Sequence, residues 1–162
     1  PDILKRVYEE GHYIANHSYT HEYEKIYDKK ENVLEEYNKT EEAIRQAIGV
    51  AEYSSGLFRF PGGSVGGQYE QTKKKAKKLL EQNNVATLDW NALNGDAEYG
   101  TKKSDMLKTV EETIEGQDCV VILMHDSSDK QNTVDTLPKI IEYLKEEGYE
   151  FKNIYDMMKK DL

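Results

Sequence analysis

Four short apolar runs separated by helical patterns constrain this chain more than any single residue does. Residues 13–16, 57–60, 85–88 and 119–124 are strand-like, and the segments between them carry apolar residues at helical spacing over about 10–15 residues. That alternation implies βαβ units and a mostly parallel sheet, so the fold class is α/β, either an open doubly wound sheet or a barrel. Ile3, Leu4, Val7 and Tyr8 set a first helix that stops at Gly11. Val33, Leu34, Tyr37, Ile44, Ala47 and Ile48 share one face of a longer helix ended by Gly49. A lysine-rich helix over residues 68–82 buries Ala76, Leu79 and Leu80 and turns Lys73, Lys74, Lys75 and Lys78 to solvent. Ser104 is positioned to cap a helix running to Glu115, and further helices are expected over residues 136–147 and 155–160.

Composition narrows the class. A chain of 162 residues is expected to form one domain, 1–162, burying roughly 68–70% of its unfolded surface. The formal charge of −9 argues against a phosphate-backbone partner, so no nucleic acid is expected. No run of about 18 apolar residues is present to span a membrane, and no signal-peptide pattern opens the chain. A lone Cys119 excludes an internal disulfide framework, and its position before Val120-Val121-Ile122-Leu123 predicts a buried, inert thiol. Nothing in the sequence indicates an oligomeric state.

The polar residues gather at one end of each strand-like run. His17 follows the first, Arg59 and Pro61 close the second, Asp89-Trp90 closes the third, and His125-Asp126 closes the fourth. In parallel α/β folds the C-terminal ends of the strands line the rim where sites are built. His17 and His21 are four residues apart, so two imidazoles can reach one cation if the backbone there is helical or tightly turned. On the residues alone, each member has a structural alternative. Arg59 could brace a loop, Asp89 could cap a helix, and Trp90 could fill a core. A buried His125 needs a hydrogen-bond partner, which Asp89 or Asp126 could provide without any catalysis.

His17-Ser18-x-x-His21, Arg59-x-Pro61, Asp89-Trp90 and Leu123-x-His125-Asp126, in that order, resemble motifs two to five of the polysaccharide deacetylases with the NodB homology domain, carbohydrate esterase family 4. The resemblance implies a distorted (β/α) barrel. It also implies metal-dependent hydrolysis of acetyl groups on a polysaccharide: N-acetyl on peptidoglycan or chitin, or O-acetyl on xylan. Carried over by residue, it makes His17 and His21 ligands of a divalent metal, zinc foremost, with cobalt or nickel as alternatives. His125 becomes the general acid, Asp89 the carboxylate that orients it, and Arg59 the partner of a catalytic carboxylate. Trp90 and Leu123 become lining residues for the sugar and the acetyl methyl, and the Gly62 backbone N–H an oxyanion donor.

Two departures from that pattern matter. The first family motif, Thr-Phe-Asp-Asp-Gly, is absent and is expected upstream of Pro1, so the domain is expected to lack its N-terminal strand or strands, with the general base and third metal ligand that this motif supplies. Gly62 also stands where many relatives carry tyrosine. The partner implied is an acetylated polysaccharide, and the localisation implied is extracellular or at the cell envelope. Two rival readings are a catalytically defective relative that binds acetylated sugar without hydrolysing it, and a metal-free α/β domain whose histidines are structural.

Overall fold

The computed structural model describes residues 2–158. In chain order the elements are α1 (Asp2–Glu9), α2 (Tyr23–Ile26), α3 (Lys30–Ile48), β1 (Leu57–Phe58), α4 (Glu70–Gln82) and β2 (Ala86–Thr87). They continue as β3 (Ala92–Leu93), α5 (Lys103–Ile114), β4 (Ile122–Leu123), α6 (Gln131–Glu146) and α7 (Ile154–Met158). The chain divides into two compact units. One runs from the N-terminus through Asp89 and takes up the segment from Asn153 onward, and the other is Trp90–Lys152.

In the first unit, β1 and β2 pair in parallel, Leu57 opposite Ala86 and Phe58 opposite Thr87. The segment before His17 joins them through a single parallel bridge, Asn16 to Phe58. Two bonds make it: Asn16 N–H donates to the Leu57 carbonyl at 3.0 Å, and Arg59 N–H donates to the Asn16 carbonyl at 2.9 Å. The parallel pairing expected from the alternation is therefore present, but each ladder is two residues long where the apolar runs extend over four to six. Helix α3 follows its apolar stripe closely, burying Val33, Tyr37, Ile44 and Ile48. It ends at Gly49, whose φ of 74° is the left-handed turn that glycine adopts without a Cβ penalty, with Gly49 N–H on the Arg45 carbonyl.

Two apolar clusters hold this unit. Ile26, Tyr27, Val33, Tyr37, Phe58, Phe60, Ala76, Leu80 and Val85 form one. Ile14, Ile44, Ile48 and Tyr53 form the other, covered by Leu4, Val7 and Tyr8 of α1. Ile3, expected on the same helical face, is 76% exposed. Lys73 departs from the solvated reading of its run. It is buried, with its ammonium 5.1 Å from the Tyr27 ring centroid, a cation–π contact that accommodates the charge on the packed face of α4.

In the second unit, β3 and β4 pair in parallel, Ala92 opposite Ile122 and Leu93 opposite Leu123. The core is Ala92, Val110, Ile114, Ile140 and Leu144. Strand β3 is unexpected from sequence because Asn91, Asn94 and Gly95 around it read as a loop. Helix α6 starts earlier than expected because the buried Thr133 and Thr136 extend the Ile140–Leu144 stripe toward its N-terminus. Ser104 is not the cap of α5. Lys102 holds that position, and the Ser104 hydroxyl lies in the first turn, donating to Asp105 at 3.0 Å. Cys119, expected buried, is exposed: it sits in the bend before β4, where its carbonyl accepts from Asn91 Nδ2. Of the terminal helix expected over residues 155–160, residues 159 and 160 lie outside the described residues. No helix among the described residues is long and apolar enough to cross a membrane.

Candidate active site

His17 and His21 are brought together by a tight loop rather than by a helix. Their ring centroids are 5.0 Å apart, at an interplanar angle of 62°. Closing that loop requires left-handed backbone at two non-glycine residues, φ 75° at Ser18 and 57° at His21, each costing about 1–3 kcal/mol. Glu36 of α3 compensates. Its Oε2 accepts from the Ser18 hydroxyl at 2.8 Å, Tyr19 N–H at 2.9 Å, Thr20 N–H at 2.7 Å and the Thr20 hydroxyl at 3.0 Å. Burial would raise this carboxyl's pKa, but the donors from Thr20, Ser18 and Tyr19 outweigh it and hold Glu36 below its ordinary value. The loop's entry is pinned by the fully buried Asn16, whose Nδ2 donates to the Tyr37 carbonyl and to Glu41 and whose Oδ1 accepts Ser18 N–H.

The Asn16 bridge aligns His17 with the end of β1, where its Nδ1 meets the Arg59 carbonyl at 2.7 Å. A carbonyl only accepts, so Nδ1 carries a proton, and in the neutral ring the lone pair is on Nε2. A backbone carbonyl on one ring nitrogen is the arrangement that orients a metal-binding imidazole through the other. His17 and His21 therefore suit a divalent cation that accepts nitrogen donors. Among the described residues, no group of three or more His, Cys, Asp or Glu side chains is assembled that could hold a metal ion.

Beyond Arg59 the chain turns sharply over residues 60–64. Gly63 N–H donates to the Phe60 carbonyl at 2.8 Å, and the Tyr27 hydroxyl donates to the Pro61 carbonyl at 2.7 Å. Gly62 lies exposed on this turn with φ +71°, and a Cβ there would meet the Tyr23 hydroxyl oxygen at 2.7 Å, so both backbone and space require glycine. The turn is tied down by Asp89, whose Oδ2 accepts from Ser64 N–H at 2.9 Å and from the Ser64 hydroxyl at 2.5 Å.

Asp89 is thereby hydrogen-bonded within the first unit. In the second unit the carboxylate on His125 is Asp96, which neither the Asp89 nor the Asp126 reading anticipated. The His125 ring donates from Nδ1 to Asp96 Oδ1 at 2.8 Å, and its backbone N–H donates to Asp96 Oδ2 at 2.7 Å. Thr133 adds a hydroxyl to Oδ2 at 2.9 Å, and Lys130 donates to the Asp96 carbonyl at 2.8 Å. Burial would raise the Asp96 pKa, but the bonds from His125 and Thr133 prevail and hold it below the ordinary aspartate value. An ionised Asp96 thus fixes the ring, with the His125 side chain 36% exposed against 1% for Asp96. Leu123 is buried in β4 and Trp90 is half-buried.

Three groups were missed at the sequence level: Glu36, Asp96 and Tyr23. Glu36 had a usable signal, since an acid three residues after Val33 and beside Tyr37 falls on the buried stripe of α3.

Residues 1–84 match the polysaccharide deacetylase family. A peptidoglycan-N-acetylglucosamine deacetylase of Bacillus cereus is 33% identical over 161 residues, covering 96% of this chain and 55% of the relative. The chain spans about half the length of the curated relatives it matches. A CE4 esterase from Streptococcus mutans superposes with a TM-score of 0.83 at 30% identity, over 94% of this chain and 69% of that one. The catalytic domain of a peptidoglycan N-acetylglucosamine deacetylase from Eubacterium rectale superposes at 0.84 with 22% identity and the same coverage, a likeness of fold. With these superpositions, the α/β fold of the NodB-type (β/α) barrel expected from the sequence stands as the fold of this chain.

Proposed function

The chain belongs to the polysaccharide deacetylase family, and on that premise we propose that it takes part in hydrolysing acetyl groups, foremost the N-acetyl of N-acetylglucosamine units, from a cell-envelope polysaccharide such as peptidoglycan. The observation that carries this reading is the His17 ring: its Nδ1 proton rests on the Arg59 carbonyl at 2.7 Å, with the His21 ring centroid 5.0 Å from its own. A divalent cation, zinc foremost, is assigned to His17 and His21, and when bound it supplies Lewis acidity toward the acetyl carbonyl and a neighbouring water. No third ligand and no general base is assigned among the described residues.

The chain's own residues do the remaining work. His125 protonates the departing amine as the C–N bond breaks, while Asp96 keeps its ring oriented and offers a negative charge to the protonated form. The Gly62 N–H is the assigned donor to the developing oxyanion, on a turn that Asp89 holds through Ser64. Arg59 is assigned to a catalytic carboxylate, and Trp90 and Leu123 to the walls around the sugar and acetyl methyl.

The test is metal content and acetate release from chitooligosaccharide by the full-length protein. We expect about one divalent ion per chain, and loss of both properties in the His17→Ala/His21→Ala variant. Metal content that is unchanged in that variant overturns the ligand assignment. Sugar binding without acetate release identifies the non-hydrolysing relative instead.

A further inference from the structure

We infer that Tyr23 is a specificity-determining residue of this site, contacting the acetylated sugar with its phenol. The inference rests on the proposed deacetylase reading and adds to it a residue that no motif marks. Tyr23 is the first residue of α2, two positions after His21, and its ring centroid is 5.7 Å from that imidazole. Its hydroxyl covers Gly62: a Cβ built on that glycine would lie 2.7 Å from the Tyr23 oxygen and 3.2 Å from two ring carbons. The phenol thus stands between a candidate metal ligand and the candidate oxyanion donor, in the volume that any side chain at position 62 would enter.

The neighbouring tyrosine shows what a purely structural phenol looks like here. Tyr27, 5.8 Å from Tyr23 ring to ring, is 1% exposed and spends its hydroxyl on the Pro61 carbonyl. Tyr23 rests against that fixed ring and is 39% exposed. A partly exposed aromatic side chain with its hydroxyl beside the candidate oxyanion donor suits a ligand with both apolar and hydroxylated surfaces. A pyranose carrying an acetamido group has that character.

The test is calorimetric binding of fully N-acetylated chitotetraose to the zinc-loaded full-length protein, with zinc affinity measured in parallel. Tyr23→Phe removes only the hydroxyl and is expected to weaken sugar binding roughly three- to tenfold, the range of one neutral hydrogen bond. Tyr23→Ala weakens it further, and both variants keep wild-type zinc affinity and thermal midpoint. Unchanged sugar binding in both Tyr23 variants overturns the assignment while leaving the deacetylase reading standing. Zinc affinity that falls together with sugar binding in Tyr23→Phe overturns it too, since Tyr23 would then act through His21. A wild-type protein that binds zinc but no chitotetraose overturns the deacetylase reading and the role of Tyr23 with it.

Discussion

Asp96 grips His125 at two points, taking the ring Nδ1–H on one carboxylate oxygen at 2.8 Å and the backbone N–H on the other at 2.7 Å. The double grip fixes both the tautomer and the direction of the imidazole. It also accounts for why a buried acid stays ionised in the apolar second unit, with Thr133 satisfying the same oxygen as the backbone bond.

Asp96→Asn keeps the shape of this contact but puts an amide where the carboxylate charge was, and an amide nitrogen can present a donor to Nδ1. Under the proposed acid role of His125, turnover of the full-length protein is expected to fall by roughly 10²-fold or more, the range of general acid–base catalysis. Metal occupancy is expected to stay near wild type, because Asp96 acts on His125 and is not one of the assigned metal ligands. His125→Ala should show the same split. Kinetics with metal analysis on each variant checks this, and metal loss in either would remove His125 from the acid role.

Asp89 predicts a different phenotype. It organises the residue 60–64 turn through Ser64, so Asp89→Ala leaves a half-buried N–H and hydroxyl without their acceptor. Urea unfolding should show a loss of about 1–3 kcal/mol, and turnover should fall less than in Asp96→Asn. Equal kinetic losses in the two variants would restore the sequence-based assignment of Asp89 to the imidazole.

The contrast between these two aspartates marks where sequence reading runs out. Helix α3, its stop at Gly49 and the parallel strand pairing all follow from periodicity and local chemistry, which act over a few residues. The His17–His21 loop was legible because both histidines lie on one short segment. The partner of His125 depends on a long-range register: β3 pairs with β4, Asn94 N–H reaches the Leu123 carbonyl at 3.4 Å, and Asp96 follows beside His125. With Ala92-Leu93 hidden among turn-forming residues, Asp89 and Asp126 were the nearer choices along the chain. Glu36 shows the opposite limit, since its place on the α3 stripe was visible but an acid there reads as an exception until its four donors are seen.

Cys119 offers an inexpensive check on the second unit. Its sulfur-bearing residue is exposed in the bend before β4, so the folded protein should be labelled by a maleimide or a chromogenic disulfide at a rate close to that of the urea-unfolded chain. Protection of the thiol until unfolding would mean that β4 begins earlier than Ile122 and buries this residue.

Glu36 links the loop's geometry to pH. Glu36→Gln retains one acceptor oxygen but turns an amide donor toward a cluster that already consists of donors from Ser18, Tyr19 and Thr20. With Ser18 and His21 no longer held in left-handed backbone, zinc affinity is expected to fall roughly 10- to 100-fold, the range seen for residues that orient metal ligands. The folded-state pKa of Glu36 is depressed, so its contribution to stability is fully present above the ordinary glutamate value of 4.5 and is lost as pH falls through the lower folded value. The unfolding free-energy gap between wild type and Glu36→Gln should therefore be widest near neutral pH and narrow steadily below about pH 4.5. Chemical denaturation of both proteins across that range measures it directly. A gap that stays constant on acidification would show that Glu36 contributes through packing, with its charge playing no part in holding the loop between the two histidines.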